Sequence, residues 1–310
     1  MPPPQLPALP PGPLSLGRAR QLGLTDHQWR LAALQRTTQG VRCVDEPSDT
    51  RARAAAFALA LPADAAFSHV TAAQLWGLPL PAALERQVEL DVIRPSNRNR
   101  VVRRGCRGHR GAEARSSATL HGVRLTGLAD TWVDLGEVMG RGITLDDLVI
   151  AGDVVTTRSA GSSGDPAHAL RAALARRVRP RNAVALCAAL QLVRAGVRSP
   201  METRARLMFH RAGFPEPEVN GALHAHGGGW LAEGDLVWRA QRVVGEYQGD
   251  VHAGIRNRSR DAHRKGLLED EGWRVLEIFS EDLNDSSRRV QTLARFGAAL
   301  RLDPGSLTIA

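Results

Sequence analysis

Asp235 interrupts an otherwise apolar strand pattern (Leu231, Leu236, Val237, Trp238), where an isolated acid needs a reason such as a metal, a partner or a strand end. Glu246 falls near the end of the next apolar run, Val243-Val244-Gly245-Glu246-Tyr247-Gln248. Side chains alternate faces along a strand, so Glu246 and Gln248 share one side and Tyr247 takes the other. A tight connection through residues 239–241 makes the two strands a hairpin and brings Asp235 and Glu246 near each other at its open end. Two converging carboxylates are costly unless a cation lies between them, and an all-oxygen site suits Mg²⁺ (or Mn²⁺). Such an ion can lower the pKa of a bound water and stabilise charge on a phosphate.

Other residues have two readings each. Glu202 follows Ser199 by three positions with Pro200 between them, a capping-box arrangement; it is either a cap or a third acid of the site. His252 is a loop histidine or a general base. Arg256, Arg258, Arg260 and Arg264 are a solvated helix face or a set of phosphate contacts. The run Arg98, Arg100, Arg103, Arg104, Arg107 and Arg110 is a second nucleic-acid surface or an exposed hairpin. His224 and His226 face one side if the strand extends through them, yet nothing nearby completes a zinc set, which favours loop residues beside Gly227-Gly228-Gly229.

The elements that must position these groups follow from periodicity. The pattern predicts helix 200–211, strands 217–223, 231–238 and 242–248, helix 259–270, strand 273–279 and helix 286–300. This is an α/β arrangement in the order αβββαβα.

That order contains the minimal core of the PD-(D/E)XK nucleases, and the C-terminal third resembles their Vsr-like branch, the family of domain of unknown function 559. The resemblance rests on Ser199-Pro200-Met201-Glu202-Thr203-Arg204, Gly234-Asp235-Leu236-Val237-Trp238 and Glu246-Tyr247-Gln248-Gly249 with His252 close behind. Arg260-Asp261, Arg264, Leu267-Leu268-Glu269, Gly272-Trp273-Arg274-Val275 and Asp282-Leu283 extend it. It implies a restriction-endonuclease-like core, DNA cleavage, and Asp235 and Glu246 as metal ligands. One position departs from the pattern: the lysine expected two residues after the glutamate is Gln248, which can orient water but supplies neither charge nor base. Lys265, the only lysine of the chain, is the candidate for a migrated replacement. The rival expectation is a catalytically inactive, DNA-binding antitoxin-type regulator with a decayed nuclease domain.

Upstream, residues 1–13 are proline-rich and read as a disordered tail. Residues 14–157 form a mixed α/β region that opens with a small helix-turn-helix or winged-helix unit. Its phrases Ser68–Leu78 (SHVTAAQLWGL) and Gly122–Leu135 (GVRLTGLADTWVDL) resemble AbiEi-type antitoxin-like proteins, which implies a toxin-type partner protein. Within the first phrase Ser68 reads as a helix N-cap and Gly77 as its stop. A turn-rich linker (158–168), a connecting helix (169–198), the nuclease-like domain (199–300) and a tail (301–310) complete the division.

Composition bounds the reading. The chain has 43% hydrophobic and 24% charged residues, as globular proteins do, and its 41 basic against 32 acidic side chains favour polyanionic partners such as DNA. Three widely spaced cysteines form no metal set and suit a reducing compartment. No signal-peptide pattern or membrane-length apolar run is present, so no membrane association and a cytoplasmic location are expected.

Overall fold

The computed structural model describes residues 9–31, 33–159, 165–249 and 264–309. Two compact units interleave in sequence: Met1–Ala151 with His168–Gln191, and Gly152–Ala167 with Leu192–Ala310. The fold is mixed α/β throughout.

The first unit opens with β1 (Pro13–Ser15), α1 (Leu16–Gln21), α2 (Asp26–Trp29), β2 (Gln35–Thr38) and β3 (Val41–Cys43). The strands form an antiparallel sheet in the order β1-β3-β2. Leu14, Ala19, Leu24, Trp29 and Leu34 are the apolar core under the two helices. The order is strand–helix–helix–strand–strand, with helices of only six and four residues. So short a helix cannot persist alone; Thr25 and Gln28 hold α2 through a reciprocal capping box.

After α3 (Thr50–Ala58) come β4 (Ala66–Phe67), α4 (His69–Trp76), α5 (Ala82–Glu85), β5 (Leu90–Arg94), β6 (Cys106–Arg110), β7 (Ser117–Leu120), β8 (Val123–Thr126) and α6 (Leu128–Gly136). The five strands order as β6-β5-β4-β8-β7, with β5–β6 and β4–β8 parallel. Phe57, Phe67, Leu75, Leu90, Val92, Val123 and Leu125 fill the core. Gly77 stops α4 in the left-handed region at φ 63°, a conformation that suits glycine because it lacks a Cβ. Ser68, expected as the side-chain cap of α4, makes no cap hydrogen bond; its hydroxyl lies 2.9 Å from the ring of His69 instead. The pattern that reads as a single connecting helix is two, α8 (His168–Ala175) and α9 (Ala183–Leu192), and both lie in the first unit. Before them, α7 (Leu145–Arg158) runs past that unit's boundary at Ala151.

The second unit contains α10 (Pro200–Arg211), β9 (Glu218–His224), β10 (Trp230–Trp238), β11 (Val243–Gln248), helical residues 264–270 (α11), β12 (Arg274–Phe279), α12 (Ser280–Asn284) and α13 (Ser286–Leu300). Apart from the short α12, this is the order expected from periodicity. The sheet runs β12-β11-β10-β9, antiparallel except for β11–β12. A parallel pair needs a long crossover, and α11 lies within it. On one face Leu236, Trp238, Val243 and Ile278 meet Phe209, Phe214, Leu293 and Phe296 of the flanking segments. On the other, Leu223, Val237, Val244 and Val275 meet Leu268 and Trp273. The segment after residue 300 is more than a tail: Leu302, Leu307 and Ile309 cover the first of these cores, and the Thr308 N–H donates to the Ala212 carbonyl at 3.1 Å.

Candidate functional site

Pairing between β10 and β11 stops at Leu236 opposite Gly245. Beyond that rung β10 continues against β9, where Ala232 meets Leu223, while β11 continues against β12, where Gln248 meets Phe279. The sheet therefore opens into a fork. Asp235 and Glu246 are the first residues past the last shared rung, one on each arm.

The fork has a local cause. The rungs of β9 and β10 skip from Gly234–Gly221 to Leu236–Val219, which leaves Asp235 and the facing Asn220 out of the ladder. Asn220 adopts a left-handed backbone, φ 47°, tolerated by Asn better than by most residues. Without a ladder partner on β10, the Tyr247 N–H donates to Asp235 Oδ2 at 2.8 Å. A carboxylate has thus replaced a backbone carbonyl at the point where the strands part.

Burial raises the Asp235 pKa, and the negative charge of Glu202 adds to this; the Tyr247 N–H and the Arg264 and Arg198 cations act in the opposite direction without prevailing. Glu202 is itself nearly buried. Its Oε2 accepts from the Arg198 N–H at 3.0 Å and from Asn220 Nδ2 at 2.9 Å, and its own N–H donates to Ser199 Oγ at 3.2 Å. The reciprocal capping box does not close, because Glu202 accepts from the Arg198 N–H rather than from that of the cap residue Ser199, while its negative charge acts on Asp235. Glu246, also nearly buried, takes the Arg264 guanidinium at 2.6 Å on Oε2.

These residues have the donor chemistry of a hard divalent cation. Asp235 and Glu246 offer oxygens at the mouth of one fork, and the Asp235 pKa is raised first by burial and then by the Glu202 charge, both of which a bound cation would offset. Gln248 is half-buried two residues beyond Glu246, consistent with strand alternation.

Arg264, expected among phosphate contacts, lies on Glu246, and also donates to the Glu233 carbonyl at 3.4 Å. The basic side chain that reaches the fork among the described residues of α11 is thus Arg264, rather than its neighbour Lys265. His252, Arg256, Arg258 and Arg260 lie outside the described residues. His224 ends β9, and His226 is held by Glu271 Oε2 through its N–H (2.9 Å) and Nδ1 (2.6 Å), a surface pairing rather than a metal set. In the first unit Arg103 and Arg107 of the arginine run are tied internally, Arg103 to Thr38 Oγ1 and the Gln39 and Ala60 carbonyls and Arg107 to Glu89, while Arg98, Arg100, Arg104 and Arg110 are exposed.

Sequence reasoning missed Glu277. It pairs in parallel register with Glu246, and side chains opposite each other on neighbouring strands share a face, so a further carboxylate flanks the fork. Its signal was an acid within the apolar run Val275-Leu276-Glu277-Ile278; the register that gives it meaning depends on a long crossover and is not written locally.

Compared with known proteins, the chain matches two from Mycobacterium tuberculosis, the uncharacterized proteins MT2308 (strain CDC 1551) and Rv2248 (strain H37Rv). Each is 34% identical over 94 residues, 30% of this chain and 34% of the relative, so the chain spans about a third of the length of these curated relatives. No family model matches the chain, and no solved structure matches it.

Proposed function

We propose that the second unit is a Mg²⁺- or Mn²⁺-dependent DNA endonuclease of the Vsr-like PD-(D/E)XK type. The observation that carries this reading is the fork: two carboxylates sit at the divergence of β10 and β11, on the element order α-β-β-β-α-β-α. Asp235 and Glu246 would hold the ion, with Glu202 in support. A bound ion supplies water activation and charge stabilisation on the scissile phosphate. The remaining work falls to this chain. Tyr247, by its N–H, fixes the orientation of the Asp235 carboxylate. Arg264 provides, from the neighbouring helix, the positive charge that Gln248 lacks, and Gln248 can orient a water. The net basic charge attracts DNA, with Arg256, Arg258, Arg260 and His252 as the contacting groups in this reading. Among the described residues no helix is long and apolar enough to cross a membrane, and the three cysteines are free; both suit work in the cytoplasm.

One observation favours a second reading. Arg264 already neutralises Glu246, and a charge-satisfied site with Gln248 in the lysine position fits a DNA-binding, antitoxin-type regulator that no longer cuts. Purified chain incubated with supercoiled plasmid, with and without Mg²⁺ or Mn²⁺, separates the two. Metal-dependent nicking that vanishes in Glu246→Gln supports the enzyme. DNA binding without cleavage in either metal supports the regulator.

A further inference from the structure

We propose that the first unit carries a divalent transition-metal site of its own, formed by His69, Asp134 and Glu137. One donor atom from each lies within 4.8 Å of the other two. His69 is the first residue of α4, Asp134 belongs to the last turn of α6, and Glu137 is the residue that ends α6. The i, i+3 spacing of the two acids puts them on one helix face.

Three features go beyond a chance cluster. First, the ring of His69 is fixed. The residue is 1% exposed, its backbone is left-handed at φ 50°, and Nδ1 lies 2.9 Å from the buried Ser68 Oγ. A non-glycine residue in that region is strained and persists where surrounding structure imposes it. In the tautomer whose Nδ1–H donates to Ser68, the Nε2 lone pair is directed at the acids, the arrangement that orients metal-ligating imidazoles.

Second, the carboxylates are divided between two tasks. Arg115 lies 2.7 Å from Asp134 Oδ1 and 3.3 Å from Glu137 Oε1, and Arg177 lies 3.2 Å from the same Asp134 Oδ1. Asp134 Oδ2, on a residue with 0% exposure, has no hydrogen-bond partner, and Glu137 Oε2 is the oxygen nearest His69. Arg115 and Arg177 thus hold Oδ1 of Asp134, and Arg115 holds Oε1 of Glu137, so neither arginine claims the second oxygen of either acid. A buried carboxylate oxygen without a partner is unfavourable, more so when charged, and an ion would offset that penalty.

Third, His69 Nε2 and Glu137 Oε2 are 3.5 Å apart. That is long for a hydrogen bond. It is close to the ~3.4 Å edge of a tetrahedron with metal–ligand bonds of ~2.1 Å. Imidazole with two carboxylates suits Zn²⁺ or Mn²⁺ better than Mg²⁺. Glu137 is the one ligand with substantial exposure, so solvent can complete the coordination from its side.

The test uses the full chain carrying Asp235→Asn and Glu246→Gln, which removes the carboxylate pair of the second unit, after chelation and dialysis. Titration calorimetry with Zn²⁺ and Mn²⁺, read beside thermal unfolding, is expected to give one equivalent bound and a raised Tm. Adding Glu137→Gln, or separately His69→Gln, is expected to weaken that binding at least ~10-fold and to remove the Tm gain while near-UV circular dichroism stays unchanged. Zn²⁺ and Mn²⁺ binding that is absent from the parent, or equally tight after Glu137→Gln, would overturn the proposal.

Discussion

Arg264 places Nη2 2.6 Å from Glu246 Oε2, so the cation of the fork comes from the helix after β11 rather than from β11 itself. Removing it has two opposed consequences. In Arg264→Ala, Glu246 loses the guanidinium that competes with a metal, and Mn²⁺ affinity is expected to rise about tenfold, or ~1.4 kcal/mol. Cleavage under saturating metal is expected to fall about 10²-fold, because positive charge facing the phosphate is lost. Calorimetry and plasmid nicking read the two effects separately. A variant that binds metal no more tightly and cuts no more slowly would leave Arg264 a purely structural partner of Glu246.

Gln248→Lys tests the same economy of charge from the strand side. A lysine two residues after Glu246 shares its face and should retain or raise metal-dependent nicking. If nicking disappears while the melting temperature holds, Gln248 orients water in a way lysine does not reproduce, or Arg264 already fills the space.

Much of this arrangement was legible in the residues. Strand alternation separates Glu246 from Tyr247, and indeed Tyr247 joins the apolar core while Glu246 meets Arg264 on the other side. What could not be read was tertiary register. The fork arises because β10 and β11 part after one particular rung, and because Asn220 on β9 turns left-handed opposite Asp235; neither is encoded by local periodicity. The His69 cluster was invisible for the same reason. Its members come from two helices some 65 positions apart in sequence, within phrases that read as helix caps and apolar faces. Ser68 illustrates the trap, having the residue type of an N-cap and spending its hydroxyl on an imidazole.

The second unit also depends on a buried ion pair outside the fork. Asp153 accepts from the Arg194 N–H at 2.7 Å, Thr203 Oγ1 at 2.8 Å and Arg206 Nη2 at 2.9 Å, with Asp153 and Arg206 each 1% exposed. Burial raises the Asp153 pKa even against the Arg206 charge. Arg206→Met leaves a buried carboxylate without its counter-ion, at an expected cost of about 3–5 kcal/mol near pH 7. The sign with pH follows from linkage. A carboxyl whose folded pKa lies above its unfolded value favours the folded state below the unfolded pKa and loses that contribution as pH rises through the folded one. Losing Arg206 pushes the folded pKa further up, so the deficit of Arg206→Met should shrink on acidification from neutral pH. Urea unfolding of both proteins from pH 7 down to pH 4.5 measures it, and a gap independent of pH would mean Asp153 is not charged in the folded chain.

Asp235 carries two roles that substitution can separate. Its Oδ2 holds the Tyr247 N–H where backbone pairing has lapsed, and its charge belongs to the proposed metal pair. Asparagine keeps a carbonyl oxygen in the same place, whereas alanine keeps nothing, so Asp235→Asn should preserve the fork and Asp235→Ala should leave a buried donor unsatisfied at about 1–3 kcal/mol. With metal absent, Asp235→Asn should be as stable as wild type or slightly firmer, since burial and Glu202 both disfavour the charge it removes. With Mn²⁺ at about 100 times its dissociation constant, the wild type should gain about 2.7 kcal/mol. Asp235→Asn and Glu246→Gln should each lose that gain while any His69-centred binding persists in both. Cleavage should vanish in both together, because groups that act as a unit are not additive. Thermal-shift series in Mg²⁺ and Mn²⁺ across the three variants decide the matter, and an undiminished Mg²⁺ gain in Asp235→Asn would remove the basis for a metal site at the fork.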